Sequence, residues 1–391
     1  MLSDPQSTAG STNDPDGTTL AALLARVKER GGSDLHIAAG MPPLMRLDGR
    51  LVPLPYPRLD ADAAARLCRE SITAEQERSF RETRELDFAF DRGDGLRCRG
   101  NLFFTQGHIG GVFRLVAGVA RSAADLGLPP AVERLADLPR GLVLVTGATG
   151  SGKSTTLSAL VEKINRQRQA HIITIEDPIE LIYTPRLSLV RQREVASDTS
   201  GFGAALRFIL RQDPDIVLIG EIRDRETAAS ALLIADTGHL VLSTLHSNSA
   251  VETIHRMISL FPAEQQAQAR HQLSAVLQGI VCQQLIPRRN AGGRVAAFEV
   301  LVANAAIRNL IREEKLHQVY SQLQVGKAAF GMQTMAQSLA ELCSQGSISE
   351  TDALAHASNP DDVRSLLGQR RPPTPTERAV VGGVRQGSGP P

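Results

Sequence analysis

The stretch LVLVTGATGSGKST at residues 142–155 decides the fold, because it joins an apolar run to a glycine-rich loop. The run LVLV is continuous rather than alternating, which is typical of a strand buried on both faces of a parallel sheet. Residues 147–154 match the pattern G-x-x-x-x-G-K-[ST], and the sequence that follows has helical character. Strand, glycine loop and helix in this order predict a P-loop within an α/β fold.

The residue types of this loop are those that bind a nucleoside triphosphate. Glycines let backbone N–H groups surround the β-phosphate, and the start of the next helix adds favourable partial charge. Lys153 is predicted to reach the β- and γ-phosphates, and the Ser154 hydroxyl to ligate Mg²⁺, so ATP and Mg²⁺ are the expected cofactors. The predicted nucleotide-binding residues are Gly147, Ala148, Thr149, Gly150, Ser151, Gly152, Lys153, Ser154 and Thr155.

Carboxylates follow two further predicted strands. DIVLIGE at 215–221 ends in Glu221, at the sheet edge where α/β proteins bind ligands. Glu221 is therefore predicted to orient or deprotonate the attacking water and to assist the metal. TIEDPIE at 174–180 places Glu176, Asp177 and Glu180 within five residues, which suggests contacts to Mg²⁺-bound water. The alternative for this segment is a charged loop stiffened by its proline.

Two histidines flank another apolar strand in TGHLVLSTLHSNS at 237–249. Either His239 or His246 is expected to sense the γ-phosphate or to link neighbouring strands by hydrogen bonds. A purely structural role remains open for both.

The net charge and the cysteine content of the chain argue against several classes of function. The chain has 391 residues, a formal net charge of +1 and four widely spaced cysteines. Balanced charge argues against a dominant attraction to nucleic acid, and isolated cysteines argue against a zinc site. The cysteine usage and the lack of a long apolar run predict a cytoplasmic protein without direct membrane insertion.

The chain divides by composition into two domains and two tails. Residues 1–17 and 367–391 are rich in polar and turn-forming residues and are expected to be disordered. Residues 18–118 read as a mixed α+β domain, and 119–140, with Pro129, Pro130 and Pro139, as a linker and hinge. Residues 141–366 alternate strands with helices and become mostly helical from about residue 257.

Arginines on the N-terminal domain need an explanation. Arg97 and Arg99 share one face of a predicted strand, and Arg114 lies in another. A basic face is sensible if this domain covers a nucleotide held elsewhere, where arginine neutralises transition-state charge. The alternative is an exposed polar sheet face.

The segment AIRNLIRE at 306–313 predicts a short amphipathic helix with Asn304 as its N-cap. Ile307, Leu310 and Ile311 form the apolar stripe. Arg308, Arg312 and Lys315 are expected to face outward on the other side.

Taken in order, these segments resemble a known family. SDLHIAAGMPPLMRLDG, the glycine loop, TIEDPIE, RQDPDIVLIGEIRD, TGHLVLSTLH and AIRNLIRE are similar to the secretion-type ATPases of type IV pili and type II secretion, specifically the twitching-motility retraction ATPases. The resemblance runs from about residue 18 to residue 350.

The resemblance implies a PAS-like N-terminal domain followed by a RecA-like ATPase domain with a helical C-terminal part. It implies a homohexamer that hydrolyses ATP between subunits to retract a pilus. Glu180 becomes the last carboxylate of the acidic box and Glu221 the Walker B glutamate, while Arg99 and Arg114 reach the nucleotide. His239 and His246 fall in the histidine box, and AIRNLIRE serves retraction rather than hydrolysis.

The same resemblance implies binding partners and a location in the cell. These are an inner-membrane pilus platform protein and a paralogous retraction ATPase, with the ring in the cytoplasm and peripheral at the inner membrane. Three departures stand out: alanine in GATG where proline is usual, no basic residue in FFTQGHIGG, and LHSNS in place of threonines. An extension or secretion ATPase is the first alternative, although such proteins carry a four-cysteine zinc insertion. A ring subunit or regulator with little activity of its own is the second.

Overall fold

The computed structural model describes residues 18–47, 49–91, 97–116, 120–290 and 292–370. These residues form two compact units. The smaller unit takes the described residues up to 116 together with residues 178–183, and the larger takes 120–177 and 184 onward. The first predicted tail, and residues 371–391 of the second, lie outside the described residues.

The chain builds both units from short strands and helices. The strands are β1 (Asp34–Ile37), β2 (Leu44–Leu47), β3 (Arg50–Pro53), β4 (Glu85–Asp91), β5 (Arg97–Thr105), β6 (His108–Leu115), β7 (Gly141–Thr146), β8 (His171–Glu176), β9 (Leu189–Glu194), β10 (Ile216–Ile219), β11 (Leu240–Leu245), β12 (Leu277–Pro287) and β13 (Arg294–Val302). The helices are α1 (Leu20–Glu29), α2 (Ala61–Arg69), α3 (Ala74–Thr83), α4 (Pro130–Arg134), α5 (Lys153–Gln167), α6 (Phe202–Ile209), α7 (Arg225–Asp236), α8 (Ala250–Ser259), α9 (Ala263–Val276), α10 (Ala305–Arg312), α11 (Val319–Val325), α12 (Lys327–Phe330), α13 (Met335–Ser344), α14 (Glu350–Ala355) and α15 (Pro360–Arg370).

The smaller unit is an antiparallel sheet with helices packed on it. Its strand order is β3-β2-β1-β6-β5-β4, and every pair of neighbours is antiparallel. Helix α1 starts at the N-cap Thr19, whose side chain accepts from Ala22 N, and buries an apolar stripe against the sheet. This is the mixed α and β composition predicted for residues 18–118.

The larger unit is organised by one sheet of order β13-β12-β7-β11-β10-β8-β9. Neighbours run parallel except β12 and β13, which are antiparallel. Every residue of β7, β10 and β11 is buried, as their uninterrupted apolar sequences predicted. The parallel strands therefore end at a common edge, and the residues after β7, β8, β10 and β11 come together there.

Several segments differ from the sequence interpretation. Strand β12 lies in the part expected to be helical after residue 257, and β9 was not anticipated. The stretch interpreted as a linker contains α4, with Ala131 and Val132 buried, so much of it is packed. Helix α15 extends to Arg370, so the first four residues of the predicted C-terminal tail are helical.

Candidate nucleotide site

The glycine loop lies between the end of β7 and the start of α5, as predicted. Helix α5 begins at Lys153 with Gly152 as its N-cap residue. Gly147 has a φ of 140° and Gly152 a φ of 91°, both in the left-handed region that side chains disfavour. The loop therefore turns sharply from strand to helix, the geometry that directs backbone N–H groups toward an anion.

Some side chains of the loop are buried and hydrogen-bonded, and others are exposed to solvent. Lys153 is 9% exposed, and its Nζ donates to Gly147 O at 2.9 Å and Ala148 O at 3.0 Å. Ser154 and Thr155 are exposed, so the Ser154 hydroxyl is open to a metal ion or phosphate. Within the described ranges, the buried Ser151 Oγ has no hydrogen-bond partner. The loop therefore fits a phosphate group and its Mg²⁺. Lys153 and the unpaired Ser151 hydroxyl can bind phosphate oxygens, and the accessible Ser154 hydroxyl can bind the metal ion.

Glu176 is the last residue of β8, and Glu221 follows the neighbouring strand β10 after Gly220. Ile175 pairs with Ile219 between β8 and β10, and Gly220 N donates to Ile175 O at 2.8 Å. Glu176 Oε1 accepts from Thr174 Oγ1 at 2.6 Å, so its orientation is fixed. Both glutamates thus lie at the sheet edge that carries the glycine loop.

Glu221 is also held in place by neighbouring side chains. Its side chain is 12% exposed and forms an ion pair with Arg223. His246 Nε2 lies 3.4 Å from Glu221 Oε2. A base that must align a water molecule needs such fixed orientation. Arg223 was not singled out from the sequence, although its position two residues after the glutamate was a usable signal.

The structure separates the two predicted histidines, His239 and His246. His239 precedes β11, and its Nδ1 lies 3.1 Å from both Thr237 Oγ1 and Ile234 O, at the end of α7. His246 follows β11, so the length of the strand, about 20 Å, separates the two residues. His239 therefore lies at the sheet edge opposite the glycine loop, and its contacts in this subunit favour the structural alternative.

The predicted arginines lie in the smaller unit. Arg99 on β5 is directly opposite Arg114 on β6, and Arg114 is directly opposite Asp34 on β1. Arg114 Nε donates to Asp34 Oδ1 at 2.8 Å, and the Arg114 side chain is 64% exposed. Burial alone would raise the pKa of Asp34, but hydrogen bonds from Ser33 and Arg114 outweigh it and lower that pKa. Arg99, Arg114 and Asp34 therefore lie side by side on one face of the sheet.

Residues 178–183, from the acidic segment, contact β5 within the same unit. Arg97 Nε donates to Ile179 O at 2.9 Å. Arg99 Nη1 lies 3.5 Å from Glu180 Oε1, and both side chains are about half exposed. Glu180 thus pairs with a predicted nucleotide-binding arginine, whereas Glu176 remains with the larger sheet.

Helix α10 has the predicted cap and stripe. Ile307 N donates to the N-cap side chain Asn304 Oδ1 at 2.9 Å. Ile307, Leu310 and Ile311 are buried in the core of the larger unit. Arg312 is exposed, as predicted.

Arg308 contradicts the prediction that it faces outward. Its Nε donates to Ala303 O at 2.9 Å, and its Nη1 donates to Ser274 O at 3.1 Å and Ala275 O at 2.5 Å. Its Nη2 donates to Gln278 Oε1 at 3.0 Å. The guanidinium therefore satisfies carbonyls in the last turn of α9, where helix geometry leaves them unpaired. Burial lowers the pKa of Arg308.

The fold and this edge define an α/β protein with a P-loop-type strand, loop and helix. The family described as type II/IV secretion system protein matches residues 122–354. The chain is 45% identical over 343 residues to the type IV pilus retraction ATPase PilT of Pseudomonas aeruginosa, which covers 88% of this chain and 99% of that protein. The type IV pilus ATPase PilU of the same organism is 41% identical, covering 88% and 90%.

A solved structure agrees with these sequence matches. The crystal structure of the pilus retraction motor PilT with bound ADP superposes with a TM-score of 0.84 at 43% identity, covering 89% of this chain and 99% of that one. The chain belongs to the type II/IV secretion system protein family, and it is an ATP-hydrolysing enzyme. In the part of the chain that the structure describes, no helix is long and apolar enough to cross a membrane.

Proposed function

We propose that this chain is a motor ATPase that retracts type IV pili and so drives twitching motility. The observation that carries the proposal is its 45% identity to a retraction ATPase across 99% of that protein. Lys153, Glu221 and His246, which a hydrolytic site needs, support it because they occupy the edge of one sheet.

ATP is the substrate, and each residue has a task. Backbone N–H groups of the loop bind the β-phosphate, and Lys153 Nζ exchanges the carbonyls of Gly147 and Ala148 for phosphate oxygens. Ser154 would hold Mg²⁺, which neutralises charge on the phosphate oxygens when bound. Glu221 accepts a proton from the attacking water, and His246 fixes the carboxylate and shares the developing charge.

The working unit in this proposal is a homohexamer built from a PAS-like and a RecA-like domain. Arg99 and Arg114 of one subunit stabilise the γ-phosphate bound by its neighbour, as arginine fingers do. The opposed arginines and the exposure of Arg114 support such a role. Mixing Arg99→Ala subunits with Lys153→Ala subunits tests action in trans. Normal hydrolysis by Arg99→Ala subunits alone would exclude it.

Coupling to the pilus is assigned to α10. The helix is anchored by its apolar stripe and by Arg308, which leaves Arg312 as the exposed cation of the segment. We propose that this surface meets an inner-membrane platform protein, with the ring peripheral at the cytoplasmic face.

A second candidate is an accessory retraction ATPase, because the chain is also 41% identical to a second type IV pilus ATPase of the organism that has PilT. Deleting the gene in its host separates the candidates when surface pili and twitching are scored together. A principal retraction motor predicts excess pili without twitching, restored by the wild-type gene but not by Lys153→Ala. Absent pili would instead indicate an assembly motor. Unchanged twitching would indicate an accessory role.

A further inference from the structure

Strand β12 continues past its neighbour β7 and lies alongside the glycine loop. Cys282 on β12 pairs with Thr146, the last residue of β7. The next residue, Gln283, is therefore level with Gly147, where the loop begins. Gln283 is 4% exposed, and only a minority of glutamines are buried so completely.

Gln283 approaches both ends of the loop. A Cβ atom at Gly147 would lie 2.3 Å from Gln283 O, and a Cβ at Gly152 would lie 2.7 Å from Gln283 Nε2. Both distances are below any normal carbon contact. At Gly147 the close atom belongs to the backbone of residue 283, whereas at Gly152 it belongs to the Gln283 side chain, so that side chain lies directly against the second glycine of the loop.

The side chain of Gln283 also holds the helix that follows the loop. Thr156 Oγ1 donates to Gln283 Oε1 at 2.6 Å, and Thr156 is 1% exposed. Thr156 lies one turn beyond Lys153 on α5, so this bond fixes the rotation of the turn that carries Lys153. A buried hydrogen bond is costly to break because the partner left behind stays unsatisfied.

We propose that Gln283 is a positioning residue for the ATP site, because its side chain holds the end of the glycine loop and the first turn of α5 through its bond to Thr156 and its place against Gly152. The inference rests on the proposed nucleotide site. Gln283 touches no reacting atom in this scheme. It keeps the loop N–H groups and Lys153 aligned, so that binding a phosphate requires little rearrangement.

The test measures ADP affinity and the KM and kcat of ATP hydrolysis for matched variants of the full chain. Gln283→Met keeps the side-chain length but removes the amide, and Thr156→Val removes only the hydroxyl. Each is expected to raise the ADP Kd and the ATP KM on the order of tenfold while kcat falls less. The double variant is expected to lose no more than either single one, because both break the same bond.

Control variants separate positioning from general damage. Thr156→Ser keeps the hydroxyl and is expected to behave like wild type. Gln284→Met alters the adjacent glutamine, whose Oε1 lies 3.3 Å from His356 Nδ1, and is expected to leave Kd and KM unchanged. If Gln283→Met does not fold, the comparison of Thr156→Val with Thr156→Ser decides.

The outcomes that overturn the inference are a Kd and KM within twofold of wild type for Thr156→Val, or additive losses in the double variant. Lys153→Ala distinguishes this failure from a failure of the site itself. If Lys153→Ala loses ADP affinity while Thr156→Val does not, Gln283 has no positioning role. If Lys153→Ala binds and hydrolyses normally, the nucleotide site is wrongly assigned and the inference fails with it.

Discussion

Replacing Arg308 by alanine is expected to destabilise the protein, although the residue lies in a segment interpreted as a surface for coupling. The side chain donates four hydrogen bonds, three of them to backbone carbonyls. Removing it leaves the last turn of α9 without its cation and detaches α10 from β12. Arg312→Ala is the matched control, because Arg312 is exposed and its recorded bond, to Asn309 Oδ1, is long at 3.5 Å.

The size of the expected stability loss follows from these four hydrogen bonds. One hydrogen bond from a charged donor contributes about 1.5–3 kcal/mol. Four bonds from one half-buried guanidinium do not add fully, so we expect a loss of about 2–4 kcal/mol in the free energy of unfolding. For a unit of this size the melting temperature falls by about 2–4 °C per kcal/mol, so the expected loss lowers it by roughly 4–16 °C. Arg312→Ala should change the free energy of unfolding by less than about 0.5 kcal/mol.

Thermal unfolding followed by circular dichroism measures the difference. Arg308→Lys adds a second comparison, because lysine keeps the charge but cannot donate in the planar fork that meets several carbonyls. It should melt between wild type and Arg308→Ala. A melting temperature for Arg308→Ala within 1 °C of that for Arg312→Ala would refute the structural role. A twitching defect in an Arg308 variant can therefore be interpreted only after the stability of that variant has been measured. Arg312→Ala, by contrast, tests directly whether α10 couples ATP hydrolysis to pilus retraction.

Three further outcomes follow. Ionised Asp34 contributes stability that is fully present above its unfolded pKa of about 3.8 and is lost as pH falls through its lower folded pKa. Because Arg114 helps to lower the folded pKa, Arg114→Ala should move the midpoint of acid unfolding to higher pH, as measured by circular dichroism. An unchanged midpoint would show that the pair adds nothing. His246→Ala should lower kcat for ATP between about tenfold and a hundredfold, because Glu221 loses its neighbour. His239→Ala should leave kcat unchanged and cost about 1 kcal/mol of stability; equal losses of kcat in the two histidine variants would contradict their placement at opposite sheet edges.

Much of this architecture is local and could be predicted from the sequence. The apolar run before the glycine loop and the helix after it identified β7 and α5 without distant information. The N-cap and apolar stripe of α10 likewise follow from residues within one helix. Parallel pairing then brings the ends of separate strands together, which is why Glu176 and Glu221 were predictable as a pair at one sheet edge.

Features that depend on distant contacts were missed or misread. Arg308 forms an amphipathic pattern with Arg312, but its acceptors at Ser274 and Ala275 lie more than 30 residues away in sequence. Strand β12 follows α9 without an intervening loop, so no turn residues marked its start. His239 and His246 look equivalent in sequence, and only the direction of β11 separates them.

The most direct test of hydrolysis at this edge is the turnover of Glu221→Gln. The variant keeps the size of the side chain and removes the charge that Arg223 and His246 hold. Glu226→Gln is the matched control, since Glu226 is an exposed partner of Arg207. Phosphate release and ATP affinity are measured together on purified protein. We predict that Glu221→Gln loses at least about a hundredfold in kcat while binding ATP normally, and that Glu226→Gln matches wild type. Wild-type turnover in Glu221→Gln would contradict the account.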